Sequence, residues 1–130
     1  MRELEIKSEI IELEYARFYR TKKDVIVSEY TKPIKLDIEI SKEVNKITGE
    51  LCNHKPSNQL FIACIGMEAD RETRKWGLTE EASQYTLKSA IVCDSLAHRI
   101  IGNVLINMKG FPRPTKMFAD IETAVKWLNK

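Results

Sequence analysis

Of the 130 residues only three are cysteine, two are histidine and five are glycine, and each scarcity removes a class of function. Cys52, Cys64 and Cys93 are odd in number and contain no Cys-x-x-Cys pair. That argues against a disulfide framework and against a zinc site, and His54 and His98 alone do not complete a metal ligand set. No Gly-rich phosphate loop follows a strand-like segment, which disfavours nucleotide binding. The longest apolar run, about "LFIACI", is far below the ~20 residues a membrane span requires. The opening "MRELEIKSE" alternates acids and bases where an export signal needs a basic patch followed by an apolar stretch. A net charge of +2 is too small to imply a polyanionic partner. The expectation is a cytoplasmic protein with no cofactor, no metal, no nucleic-acid partner and no membrane span.

What is present suits one domain over residues 1–130. Apolar residues make up 43% and charged residues 31%, the balance of a globular chain. A domain of this length buries roughly two thirds of its unfolded surface without covalent help. Cys64 and Cys93 fall in the two most apolar segments, where cysteine behaves as a small buried hydrophobe.

The pattern along the chain alternates strand and helix periods. "IIELEYARFYR" places Ile11, Leu13 and Tyr15 on one face of an extended chain, and "VIVSEY" follows a turn at "TKKD", so residues 9–30 predict an antiparallel hairpin. The basic cluster Arg20, Lys22 and Lys23 reads as its solvated tip. Ile40, Val44, Ile47 and Leu51 share one helix face, with Asp37 as N-cap and "CNHKPSN" as the stop. Cys52 and His54 lie in that closing turn without an accompanying acid. "QLFIACIG" is the signature of a strand buried on both faces, the centre of the sheet. "MEADRETRKWG" predicts a short helix with Glu68, Asp70 and Glu72 at its start, acids that would repel a phosphate there. Thr79 opens another helical turn. "LKSAIVCD" is a second buried strand and "SLAHRIIGNVLINMKG" an amphipathic helix, with Leu96 among the residues of its inward stripe. "TKMFAD" is a last strand, and Asp120 caps a helix with Ile121, Ala124, Val125 and Leu128 inward. The order ββαβααβαβα is that of an α/β domain.

Three pieces together resemble the SpoIIAA-like proteins, small bacterial domains related to STAS domains and more distantly to CRAL-TRIO lipid carriers. They are "IIELEYARFYR", "SAIVCDSLAHRIIGNVLINM" and "FPRPTKMFADIETAVKWL", and the likeness runs from about residue 9 to 130. The resemblance implies a mixed sheet of about five strands with an N-terminal antiparallel hairpin, flanked by about four helices. It also implies a non-enzymatic role in protein interaction, regulation or small-ligand binding. STAS partner-switching proteins carry an Asp-Ser or Asp-Thr pair at a helix start whose counterpart here is "CIGMEADRETRKW". That pair is missing, and Thr73 stands inside the predicted helix, so no phosphorylation switch is carried over.

The segment "AIVCDSLAHRIIGN" looks most like chemistry. A triad needs Ser95 within reach of His98 and an acid orienting that histidine, but an Asp94 or Ser95 that caps the helix already has a backbone partner. No catalytic residue is therefore assigned, and Asp94 and Ser95 are read as the helix cap. On a helical wheel His98, Arg99, Gly102, Asn103 and Ile106 fall outside the apolar stripe. Two readings stay open: a surface for a protein partner or a homodimer, or a face whose Ile106 is covered by the chain's own "FPRP" loop. A third reading lines an apolar pocket for a small apolar ligand with Trp76, Tyr85, Phe111 and Phe118.

Overall fold

The computed structural model describes residues 4–96, 98, 99 and 111–130. In chain order the elements are β1 (Ile11–Glu12), β2 (Ala16–Arg20), β3 (Val25–Tyr30), β4 (Lys35–Leu36), α1 (Ile38–Leu51), β5 (Ser57–Ile62) and β6 (Glu68–Ala69). They continue with α2 (Arg71–Trp76), α3 (Glu80–Ser83), β7 (Thr86–Val92), β8 (Thr115–Phe118) and α4 (Ile121–Leu128). The main sheet has six strands in the order β1-β2-β3-β5-β7-β8, where about five were expected. β1, β2 and β3 pair antiparallel, and β3, β5, β7 and β8 pair parallel, so the sheet is mixed as anticipated. β5 stands between β3 and β7 with Leu60 fully buried, the interior position its apolar run predicts.

The extra strand comes from residues 10–20, expected to run as one. The Leu13 N–H donates to Ala16 O and the chain doubles back, setting Ile11 opposite Phe18. Alternation of Glu12 and Glu14 with Leu13 and Tyr15 mimics a strand through this reversal, because period two does not distinguish a straight chain from a tight turn. The hairpin itself joins β2 to β3, and Asp24 turns it at φ 61°. Asp24 accepts from Arg20 Nε at 2.9 Å.

A second, two-stranded sheet pairs β4 with β6 in parallel, Lys35 opposite Glu68 and Leu36 opposite Ala69. Glu68, expected in the first turn of a helix, therefore lies in a strand. The helix begins after Asp70, because the Asp70 carboxylate accepts the Thr73 N–H at 2.8 Å and so fixes the N-cap there. The other caps fall where their residue types predict: Asp37 accepts from Ile40 N, Thr79 from Ala82 N and Asp120 from Thr123 N.

Strand alternation divides the core between the sheet faces. On one face α4 lays Ala124, Val125 and Leu128 against Val25, Val27, Leu60 and Ala90. Phe118 belongs to this face, its ring 5.5 Å from that of Trp127. On the other face α1 brings Val44 and Ile40 against Ala16, Phe18 and Tyr30. Full burial of an aliphatic or aromatic side chain stabilises by roughly 1.5–3 kcal/mol, so these two clusters dominate the favourable side of folding.

Candidate functional site

On the α1 face of the sheet, α1, α2 and the loop after residue 110 border a half-open cavity of about 720 Å³. Its floor is made by two rows of side chains running across the strands. Parallel register sets Gln59 beside Ser89 and Ser89 beside Thr115, and one step along sets Phe61 beside Ile91 and Ile91 beside Met117. All six line the cavity. The floor is thus a polar row next to an apolar row, a consequence of register and of which residue in each strand points the same way.

Gln59 is only 1% exposed. Its Nε2 donates to Tyr85 O at 2.9 Å, while its Oε1 has no hydrogen-bond partner among the described residues. Trp76 Nε1, on the α2 wall, is likewise buried without a partner among the described residues. A buried polar atom left unpaired costs on the order of 1–3 kcal/mol. Gln59 and Trp76, both in the cavity lining, thus each keep one buried and unpaired polar atom, an acceptor and a donor, among aromatic and aliphatic neighbours. Tyr30 closes the β3 end, and burial holds its hydroxyl well above the ordinary phenol pKa, so it stays neutral.

Charge is one-sided. Arg71, Arg74, Lys75 and Arg113 line the cavity, and no acidic residue does so among the described residues. Positions 71, 74 and 75 follow i, i+3, i+4 spacing and share one helix face. Arg113 pairs with Glu80 at 3.2 Å and Arg74 donates to Ala69 O. Arg71 and Lys75 are exposed, with no ionic partner among the described residues. The three acids expected to repel an anion at this helix do not line the cavity.

Of the four aromatics expected around a pocket, Trp76 and Phe111 line the cavity. Phe118 lies on the opposite face of the sheet, because it follows the cavity-lining Met117 by one residue. Tyr85 packs instead over Gly49 and edge-on to His54. Gln59, Ser89 and Thr115 gave no signal in one dimension, since their adjacency depends on the register of three separate strands. The α2 bases were legible in principle from their spacing.

At "CDSLAHR" Ser95 Oγ accepts the His98 backbone N–H at 3.2 Å and Ser95 O accepts the Arg99 N–H at 2.9 Å. The serine oxygen is turned to the helix start, and Asp94 is exposed with its carboxylate uninvolved in that contact. His98 is exposed and Arg99 half-buried, its Nη1 donating to Cys93 O at 2.6 Å. Leu96, expected inside the apolar stripe, is 64% exposed. It is the first helical residue after the cap and stands past the end of β7. Gly102, Asn103 and Ile106 lie outside the described residues.

Cys52, at the C-cap of α1, is the buried cysteine, whereas Cys64 and Cys93 are half-buried because both follow the last residue of their strand. Among the described residues no cluster of His, Cys, Asp and Glu is placed to hold a metal ion, and no helix is long and apolar enough to cross a membrane. The Thr73 hydroxyl is buried, 2.7 Å from Asp70 Oδ1 and 3.3 Å from Leu36 O.

No curated protein matches the chain. A solved structure of an uncharacterized protein from Shewanella loihica PV-4, of the DUF3478 family and with a SpoIIAA-like fold, is similar over 95% of this chain and 94% of that one. The two share 15% identity at a TM-score of 0.57, a likeness that establishes the SpoIIAA-like fold. A protein of unknown function from Arthrobacter sp. FB24 aligns at 15% identity and a TM-score of 0.34, over 94% of this chain and 98% of that one. The family model described as a domain of unknown function, DUF7793, matches residues 19–130, and the chain belongs to that family.

Proposed function

We propose that the protein is a non-enzymatic binding module that holds a small, largely apolar ligand in the cavity beneath α1 and α2. The observation that carries this reading is a half-open, largely apolar cavity whose lining residues Gln59 and Trp76 each hold a buried polar atom, Oε1 and Nε1, unpartnered among the described residues. Ligand sites typically occupy roughly 300–1,000 Å³ with mostly apolar walls and a few polar groups, and this cavity has that size and a mostly apolar lining interrupted by polar residues. A ligand donor that draws out Gln59 Oε1, or a ligand acceptor that draws out Trp76 Nε1, relieves a desolvation penalty once that side chain turns toward it. The orientation of Ser95 Oγ toward a backbone N–H supports binding over hydrolysis at that segment.

Native mass spectrometry of freshly purified protein tests the reading. The expected result is a co-purifying small molecule that is absent from a Ser89→Phe variant, whose ring fills the floor. A protein that carries no such molecule, and whose melting temperature no small amphiphile raises, overturns it.

Self-association is a second reading, favoured by the exposed apolar side chain of Leu96 beside His98 and Arg99. It uses the face of His98, Arg99, Gly102, Asn103 and Ile106 with a second copy as partner. Sedimentation of the wild type and of Ile106→Glu checks it: a concentration-dependent dimer lost in the variant is expected, and a monomer at every concentration rules it out.

A further inference from the structure

We infer that the ligand is a single-chain amphipathic anion, its acid group held at the cavity rim by Arg71 and Lys75 and its apolar chain lying over Phe61, Ile91 and Met117. The inference rests on the binding-module reading and adds the charge of the headgroup. Four basic residues and no acidic residue line the cavity among the described residues. Two of the four are already engaged, Arg113 by Glu80 and Arg74 by Ala69 O. Arg71 and Lys75 stand one turn apart on the cavity face of α2, exposed and without an ionic partner among the described residues, so their charges are available to a ligand.

The floor beneath them has the matching polarity. Phe61, Ile91 and Met117 form a continuous apolar row for a chain. The neighbouring row presents Gln59, whose free acceptor suits a donor carried along the chain rather than the acid itself, since two acceptors repel. An anionic headgroup beside Gln59 would face its unpaired carbonyl oxygen and no cation of the strand row, whereas the cations without an ionic partner among the described residues stand on α2, which places the acid at the rim. Carboxylate and phosphate headgroups share this chemistry.

Isothermal titration of the intact protein with decanoate, decyl phosphate and decanol, each below its aggregation concentration, separates the possibilities. At least one of the anions is expected to bind about tenfold tighter than decanol, the size of one charge-assisted contact. An Arg71→Ala/Lys75→Ala variant, folded by circular dichroism because both side chains are exposed, is expected to lose that preference while keeping its affinity for decanol. Whichever anion binds more tightly names the headgroup. Equal binding of all three amphiphiles overturns the anion inference and leaves the binding-module reading standing. An anion preference that survives in the double variant overturns the assignment to Arg71 and Lys75. Binding of none of the three overturns the inference together with the reading beneath it.

Discussion

The ring of Tyr85 lies so close over Gly49 that a β-carbon at position 49 would stand 2.6 Å from Tyr85 Cε2. Glycine inside α1 costs about 1 kcal/mol of helix propensity, and here that loss accommodates the ring. The backbone of the same tyrosine serves the cavity, since Tyr85 O accepts both the Ser57 N–H and Gln59 Nε2, each at 2.9 Å. The packing of Tyr85 on α1 therefore helps hold the orientation of the cavity's buried amide.

Gly49→Ala is expected to destabilise by about 1–3 kcal/mol, the usual cost of overpacking, although alanine is the better helix former. In a Tyr85→Ala background the same substitution is expected to stabilise by about 1 kcal/mol. Urea denaturation of the four proteins in this double-mutant cycle checks the coupling, and additive effects would dissociate the two residues.

Gln59→Leu is expected to hold or raise the stability of the empty protein by about 1 kcal/mol, because it removes an unpaired buried acceptor while Tyr85 O keeps the Ser57 N–H. Ligand affinity is expected to fall in the same variant. Melting temperature and titration, measured together, test this opposition of stability and binding; a large loss of stability would assign Gln59 to the structure alone.

Acid should weaken the fold in a defined direction. The carboxyls of Asp24, Asp70 and Asp120 are held below the ordinary aspartate range, by the Arg20 hydrogen bond, by the Thr73 hydroxyl and N–H, and by the Thr123 N–H and hydroxyl respectively. A depressed folded pKa favours the native state fully above the unfolded value of about 3.9, and that contribution is lost as pH falls through the folded values. Asn still caps a helix but does not titrate. Asp70→Asn/Asp120→Asn should flatten the decline in urea midpoint between about pH 5 and about pH 2, the window in which such carboxylates protonate.

Much of this architecture was legible locally. An N-cap requires one polar residue and a backbone N–H three positions on, so Asp37, Thr79 and Asp120 were readable from short windows. The interior strand announced itself in "QLFIACIG", because burial on both faces leaves few polar positions. The β1–β2 reversal was hidden by alternation that continues through the turn, and the pairing of β4 with β6 by its brevity. The candidate site was least legible. Gln59, Ser89 and Thr115 meet only through parallel register, which no local pattern encodes. Strand alternation did hold the means to separate Phe118 from the cavity, since Met117 precedes it.

Ser89→Phe should leave the sheet intact and shift function alone. Ser89 is half-buried on the cavity floor, with open volume above it, so the new ring enters space rather than a packed core. An unchanged or higher melting temperature with no titratable amphiphile is the expected outcome, and retained affinity would move the binding site elsewhere.

The short β4–β6 ladder ties together two segments that each end in the aspartate capping a helix, Asp37 for α1 and Asp70 for α2. The Thr73 hydroxyl beside Leu36 O adds a side-chain link across the same seam. Two walls of the cavity are thus yoked at their starts, and neither helix can fray there without releasing the other. Amide hydrogen exchange should show the first turns of α1 and α2 opening as one cooperative unit, with a single free energy that Thr73→Val lowers for both.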